Sequence, residues 1–253
     1  MDAFVLDPRL LVILGVVALT SFATEGAIGF GGTVLAVSLG AALAIPLALL
    51  LPAFVPLNLL MSAWLLSRGF SVVGWRMLAR EVAPAVGIGT AIGLALFHLP
   101  AKQLFAFGFG VFVIGLATLQ LVRPAEKDLP RALRWLLLGL GGVVHGLFGT
   151  GGPMIVYVAR RRLPDKRAFR STLAVLWIVL NIALLTNYAS EHMYTVTTFK
   201  ISGVIALMIV PGLFVGDRIH HKLDAARFER VVWVVLLFAG FAVAIRNAHA
   251  LYG

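Results

Sequence analysis

Glu25 and His145 each stand directly before a glycine-rich run. The first run reads Gly26-Ala27-Ile28-Gly29-Phe30-Gly31-Gly32, the second Gly146-Leu147-Phe148-Gly149-Thr150-Gly151-Gly152. Both interrupt apolar stretches. Glycine adopts positive φ freely and lets backbone approach a ligand. A helix that resumes after such a break presents unpaired N–H groups and the positive end of its dipole. Thr33 and Pro153 each follow a glycine pair, and proline is favoured in a first helical turn. Two such half-helix starts, brought together, would cradle an anion through main-chain donors. The pattern nominates Gly29, Gly31, Gly32 and Thr33 with Gly149, Thr150, Gly151 and Gly152 as an anion site. The alternative is close helix packing, which also favours glycine. A dinucleotide fingerprint does not apply, because no strand–turn–helix context surrounds either run.

Further polar residues lie near these runs in the pattern. Glu25 and His145 occupy equivalent positions, and a carboxylate and an imidazole there could carry a proton. An ionised Glu25 would repel an anion, so it must be protonated, paired or set aside. The alternative places both at water-filled vestibules. Asn58 and Asn181 correspond at an offset of 123, each in the span after its glycine run, and each can donate two hydrogen bonds to a ligand or bond another helix. Arg170 opens an apolar segment and either meets an anion or snorkels to the interface. Trp177 lies deeper and is a candidate for lining the site, whereas Trp64, Trp75, Trp135 and Trp233 lie near segment ends and read as interfacial anchors. His220 and His221, in a loop with Asp217, Asp224 and Glu229, read as a solvated cluster without metal-site spacing. No convergent nucleophile, metal or acid–base set points to an enzyme, and no catalytic residue is assigned.

The elements that must hold these groups belong in a bilayer. Of 253 residues, 60% are hydrophobic and 13% charged, against about 45–50% apolar and about 25% charged in soluble domains. Mean hydropathy is +0.99. The apolar runs are continuous rather than alternating, which favours helices over a β-barrel. The net charge of +10 does not indicate nucleic acid, because the basic residues sit in short loops between apolar runs. There is no cysteine, so disulfides and thiol chemistry are excluded.

Apolar segments run over about 10–24, 33–45, 47–67, 82–98, 103–122, 135–147, 153–159, 171–189, 199–216 and 231–246. Loops 68–81, 123–134, 160–170 and 217–230 are rich in Arg and Lys, whereas 99–102 holds only Lys102 and 190–198 holds none. The positive-inside rule puts the four basic loops in the cytoplasm and the two sparse ones outside. Segment 135–159 then begins and ends on the cytoplasmic side, yet it has about 25 residues, against about 40 for two spans. It reads as a short hairpin with its tip at Gly149–Gly152, the alternative being one kinked span. The mirror argument makes 10–45 a hairpin from outside, with its tip at Gly29–Gly32. The expectation is an all-α polytopic bundle forming a single transmembrane domain over 1–253. It holds two inverted repeats, about 10–122 and about 135–246, joined at 123–134, with both termini outside. Each repeat is a broken hairpin plus three spans. Gly89 and Gly93 match Gly212 and Gly216 in the following spans, where small residues let helices approach closely.

The residues Gly29-Phe30-Gly31-Gly32, His145-Gly146-Leu147-Phe148-Gly149-Thr150-Gly151-Gly152-Pro153, and Leu163 to Thr172 followed by Asn181 resemble the TauE/SafE family of sulfite and organosulfonate exporters. The resemblance covers roughly residues 10–246, and its second-half motif is the more specific. It implies a plasma-membrane transporter of a small sulfur-containing anion, with no cofactor and no ATPase domain. The chain likewise has no Walker-type phosphate loop. The expected partners are a small anionic substrate and the lipid bilayer. The expected function is secondary transport of sulfite or an organosulfonate, in the export direction, by alternating access with or without a proton. An anion channel and a transporter of a different small solute are the alternatives.

Overall fold

The computed structural model describes residues 7–43, 45–96, 102–122, 129–150, 152–163, 165–222 and 224–252. Among the described residues the regular structure is helical throughout. Helix α1 (Pro8–Ile28) starts where the Asp7 side chain accepts from the Arg9 N–H, with Pro8 in the first turn. It folds back into α2 (Gly32–Ala42), whose start lies against Ser21 and Glu25 of α1. Helix α3 (Leu47–Ser67) follows and carries Pro52 and Pro56 inside it. A 3₁₀ turn (Phe70–Val72) leads to α4 (Trp75–Met77), a π-helical turn (Leu78–Val82) and α5 (Ala83–Leu96), which run on without a break. Helix α6 (Lys102–Val122) closes the first half.

The second half opens with α7 (Arg131–Phe148) and α8 (Gly152–Arg162). Helix α9 (Lys166–Ser190) is capped by Asp165, which accepts from the Ala168 N–H at 2.7 Å. Helix α10 (Val196–Leu207) is capped by Thr195, and a turn at Met208 separates it from α11 (Ile209–Lys222). Helix α12 (Ala225–Tyr252) ends the chain. Among the described residues, five stretches are long and apolar enough to cross a membrane: Pro8–Ile28, Leu47–Ser67, Trp75–Leu96, Lys166–Ser190 and Val196–His220. With the apolar composition, they make this a multi-pass membrane protein. Large apolar side chains on its outer face, such as Val196, Phe199, Leu207 and Val210, are exposed, as lipid contact requires.

Several boundaries differ from the sequence reading. Segment 82–98 belongs to a span that begins at Trp75, so most of loop 68–81 is helical. Segment 199–216 is divided at Met208. His220 sits on α11 rather than in a loop, and its Nδ1 lies 2.7 Å from the Ala27 carbonyl oxygen. Trp233 is no interfacial anchor: it is 3% exposed, packed among Val34, Phe109 and Phe148. Hydropathy windows mark where a segment ends along the chain, and only packing decides what covers that end. Residues 123–128 of the expected joint lie outside the described residues.

Two backbone-to-backbone packings position the site. Helix α5 packs on α7 and α11 packs on α1. A side chain added at Gly142 would meet the Val86 carbonyl, the Thr90 nitrogen at 2.8 Å and the Gly89 Cα at 3.0 Å. A side chain at Gly216 would meet the Ala23 carbonyl, with the Ala27 nitrogen and Gly26 Cα each at 3.0 Å. These glycines are required because there is no room between the helices, as the small residues of the two spans predicted. Helices α3 and α9 cross at the centre and bring Asn58 to Asn181.

Candidate functional site

The glycine runs are two left-handed helix ends. Gly29 ends α1 at φ 83°, ψ 9°, and its N–H bonds the Glu25 carbonyl at 2.6 Å. Gly149 ends α7 at φ 65°, ψ 16°, and its N–H bonds the His145 carbonyl at 2.7 Å. A left-handed residue after the last helical turn satisfies a terminal carbonyl and reverses the chain, and glycine carries no Cβ penalty there. A new helix then begins at Gly32 and at Gly152. Glu25 and His145 therefore occupy equivalent places, one turn before each break.

Both breaks border one cavity. Its wall holds Glu25, Gly31 and Thr33 from the first hairpin and His145, Gly149, Thr150 and Gly152 from the second, with Asn58, Trp177 and Asn181 between them. These are ten of the sequence-nominated residues. Phe30 and Val34 also line it. Sequence reasoning passed over both, although Phe30 lies inside the first run. Gly29 and Gly32 adjoin the cavity without lining it, and Gly151 lies outside the described residues. Empty space between the side chains is about 290 Å³, but only about 20 Å³ of it can take the centre of a water molecule. The room left between the side chains is therefore small.

A hydrogen-bonded network spans it. The Asn58 side-chain amide donates to Glu25 Oε2 at 2.6 Å and to Thr33 Oγ1 at 3.0 Å, and Asn58 Oδ1 accepts from Asn181 Nδ2 at 2.7 Å. Four helices meet at this one side chain. By contrast, both ring nitrogens of His145 and the Thr150 hydroxyl are buried without a hydrogen-bond partner. A buried polar group left without a partner costs about 1–3 kcal/mol, and both residues line the cavity. The His145 ring stacks on Trp177, with centroids 5.8 Å apart and planes 20° from parallel.

Three donors from the second half hold the end of α1. Trp177 Nε1 donates to the Gly29 carbonyl at 3.2 Å, Arg170 Nη1 to the Gly26 carbonyl at 3.1 Å, and His220 Nδ1 lies on that of Ala27. Arg170 does not line the cavity: its stem packs against Gly29 and its head caps a helix end. Among the described residues no Lys or Arg lines the cavity wall, and its ionisable members are Glu25 and His145. Among the described residues, no group of three or more His, Asp or Glu side chains could hold a metal ion.

Comparison with known proteins gives this arrangement a lineage. The family model of Sulfite exporter TauE/SafE matches residues 12–243, which includes every residue of the cavity wall. A curated relative, "Probable inner membrane transporter protein TsaS" of Comamonas testosteroni, is 28% identical over 178 residues, covering 69% of this chain and 74% of the relative. No solved structure matches. The chain belongs to the sulfite exporter TauE/SafE family of membrane transporters.

Proposed function

We propose that this protein moves a small sulfur-containing oxyanion, sulfite or an organosulfonate, out of the cell across the plasma membrane. The observation that carries this reading is the single cavity where both helix breaks meet around unpartnered donors. The anion is held there by neutral groups: the N–H groups opening α2 and α8, the Asn58 and Asn181 amides, the Thr33 and Thr150 hydroxyls, and His145. Donors of this kind suit an anion that must later leave, since no fixed cation holds it. On its place in the sequence motif, Gly151 is proposed to act with them. The stacked ring of Trp177 orients His145, and Arg170 acts on the site by holding α1 in place.

The small free volume supports alternating access. An anion of several heavy atoms needs more than room for a water molecule, so the hairpin tips part to admit it from one side at a time. Glu25 supports a proton-coupled cycle. Ionised, it would repel the anion, so a proton on Glu25 accompanies the loaded state, with His145 as the second group able to carry one. The matched left-handed glycines, together with the reciprocal packing of α1 on α11 and α7 on α5, support two inverted repeats. Both termini then lie outside.

The test is a thermal-stability screen of the detergent-purified protein against sulfite, sulfate, thiosulfate, taurine, sulfoacetate, acetate and phosphate. A ligand that binds only the folded state stabilises it by RT ln(1 + [L]/Kd), about 2.7 kcal/mol at a hundredfold excess over Kd. Sulfite or one sulfonate is expected to stabilise the protein, and His145→Ala with Thr150→Val is expected to remove most of that shift. No shift with any sulfur anion, and a shift with another solute, would refute the substrate class.

Topology has its own test. The chain has no native cysteine, so single cysteines at Arg68, Lys102, Arg161 and Glu191 report sidedness against no background. Positions 68 and 161 are expected to label from the cytoplasm, and 102 and 191 from outside. Labelling of 68 and 161 from opposite sides would end the inverted-repeat reading.

A further inference from the structure

A second polar cavity opens at the charged end of the Trp75–Leu96 span, away from the central site. Its wall holds Trp75, Arg76, Arg80 and Glu81 from α4 and the π-helical turn, Val73 and Gly74 before them, and Arg162 from the end of α8. It is open to one side and offers about 680 Å³, far more than the water-sized room at the centre. The π-helical turn over Leu78–Val82 is a rare element, frequent at functional sites.

The charge in this cavity has a clear balance. Glu81 Oε1 is 3.1 Å from Arg134 Nη2 and 3.7 Å from Arg162 Nη2. The Glu81 carboxylate is therefore engaged by two guanidinium groups, and Arg76 and Arg80 are exposed at the same wall. The other arginines of the α8 terminus point elsewhere: Arg160 lies over the Phe169 ring and Arg161 over Tyr157. The opening carries a net positive charge and planar donors suited to phosphate oxygens.

Location selects the source of that phosphate. The cavity lies where an apolar span ends, which is headgroup depth in a bilayer. Beside it, the exposed rings of Phe70 and Trp75 make an edge contact at 5.6 Å, as aromatic side chains do at the membrane interface. Basic pockets at this depth bind the headgroups of anionic lipids. We propose that this cavity binds the phosphate of an anionic phospholipid between Arg76, Arg80 and Arg162, with Phe70 and Trp75 against the glycerol and upper acyl region. Arg134 lies near the start of α7 and Arg162 ends α8, and both reach Glu81. A lipid here therefore braces the base of the second hairpin. This site is separate from the proposed anion site and stands whether or not that reading holds.

The experiment adds cardiolipin, phosphatidylglycerol, phosphatidylcholine or inorganic phosphate to the detergent-purified full chain and follows thermal stability. Cardiolipin or phosphatidylglycerol is expected to stabilise it, while phosphatidylcholine and inorganic phosphate have little effect. Arg76→Gln with Arg80→Gln is expected to weaken the lipid response by about tenfold or more. Arg131→Gln with Arg167→Gln removes the same charge from exposed positions outside the cavity and is expected to leave the response intact. An equal loss in both double variants would overturn the site, as would equal stabilisation by phosphatidylcholine. Equal stabilisation by inorganic phosphate would overturn the lipid assignment.

Discussion

Replacing Asn58 with leucine is expected to destabilise the protein by about 2–4 kcal/mol and to lower transport at least about tenfold. A lone interhelical hydrogen bond in a membrane protein averages only about 0.6 kcal/mol, so one bond would not justify this figure. Asn58 makes three, to Glu25, Thr33 and Asn181. Leucine leaves the Glu25 carboxyl and the Asn181 amide without those partners in a dry site, and an orphaned buried polar group costs about 1–3 kcal/mol, more if charged. Thermal unfolding of Asn58→Leu in the native and the Glu25→Gln backgrounds separates these contributions. The loss is expected to be smaller by about 1 kcal/mol or more in the Glu25→Gln background, where no carboxylate is stranded. Equal losses in both backgrounds would show that Asn58 and Glu25 are not energetically coupled.

Gly142→Ala is expected to cost as much, through packing rather than polarity. The added methyl would stand 2.8 Å from the Thr90 nitrogen and 3.0 Å from the Gly89 Cα, and closer still to the Val86 carbonyl oxygen. All three are backbone atoms, so no side chain can turn aside and α5 must move from α7. Overpacking of this kind costs about 1–3 kcal/mol. The upper end applies here, because α7 also carries His145 into the cavity and its displacement loosens the site. Gly87→Ala is the matched control: nothing lies within 4 Å of a Cβ there, and alanine is favoured over glycine in a helix by up to about 1 kcal/mol. Thermal unfolding should rank Gly87→Ala at or above the native protein and Gly142→Ala well below it. Equal midpoints would contradict the backbone contact between α5 and α7.

The features most legible in the sequence were those governed by local chemistry. Gly29 and Gly149 could be read as helix breaks because a left-handed turn excludes most side chains. The close packing at Gly89, Gly93, Gly212 and Gly216 could be read because their spacing puts each pair on one helix face. Asn58 and Asn181 stood out as polar residues in apolar segments, but the sequence left two roles open, ligand donor or interhelical bond. The structure places them in a bond with each other at 2.7 Å, and the wall of the cavity includes both. Arg170 was equally open, and its head turns to the Gly26 carbonyl. His220 and Trp233 were misread because a sequence window sees only their charged or terminal neighbours. Their partners, Ala27 and Val34, are about 190 residues or more away in the chain.

By itself the sequence determined the membrane class, the helical architecture, the paired breaks and the family, because each follows from composition or from residues close together in the chain. Hydropathy sums over a segment and glycine acts on its own φ, so neither needs the rest of the fold. Only the tertiary structure decided that the two breaks share one cavity, that Asn58 joins four helices, and that His145 and Thr150 face it without partners. It also decided that Trp177, Arg170 and His220 hold the end of α1. Apart from the Asn58 bonds to Glu25 and Thr33, these are contacts between segments more than a hundred residues apart. Whether a buried polar group meets a partner or a void depends on packing to within an ångström, which no local pattern encodes.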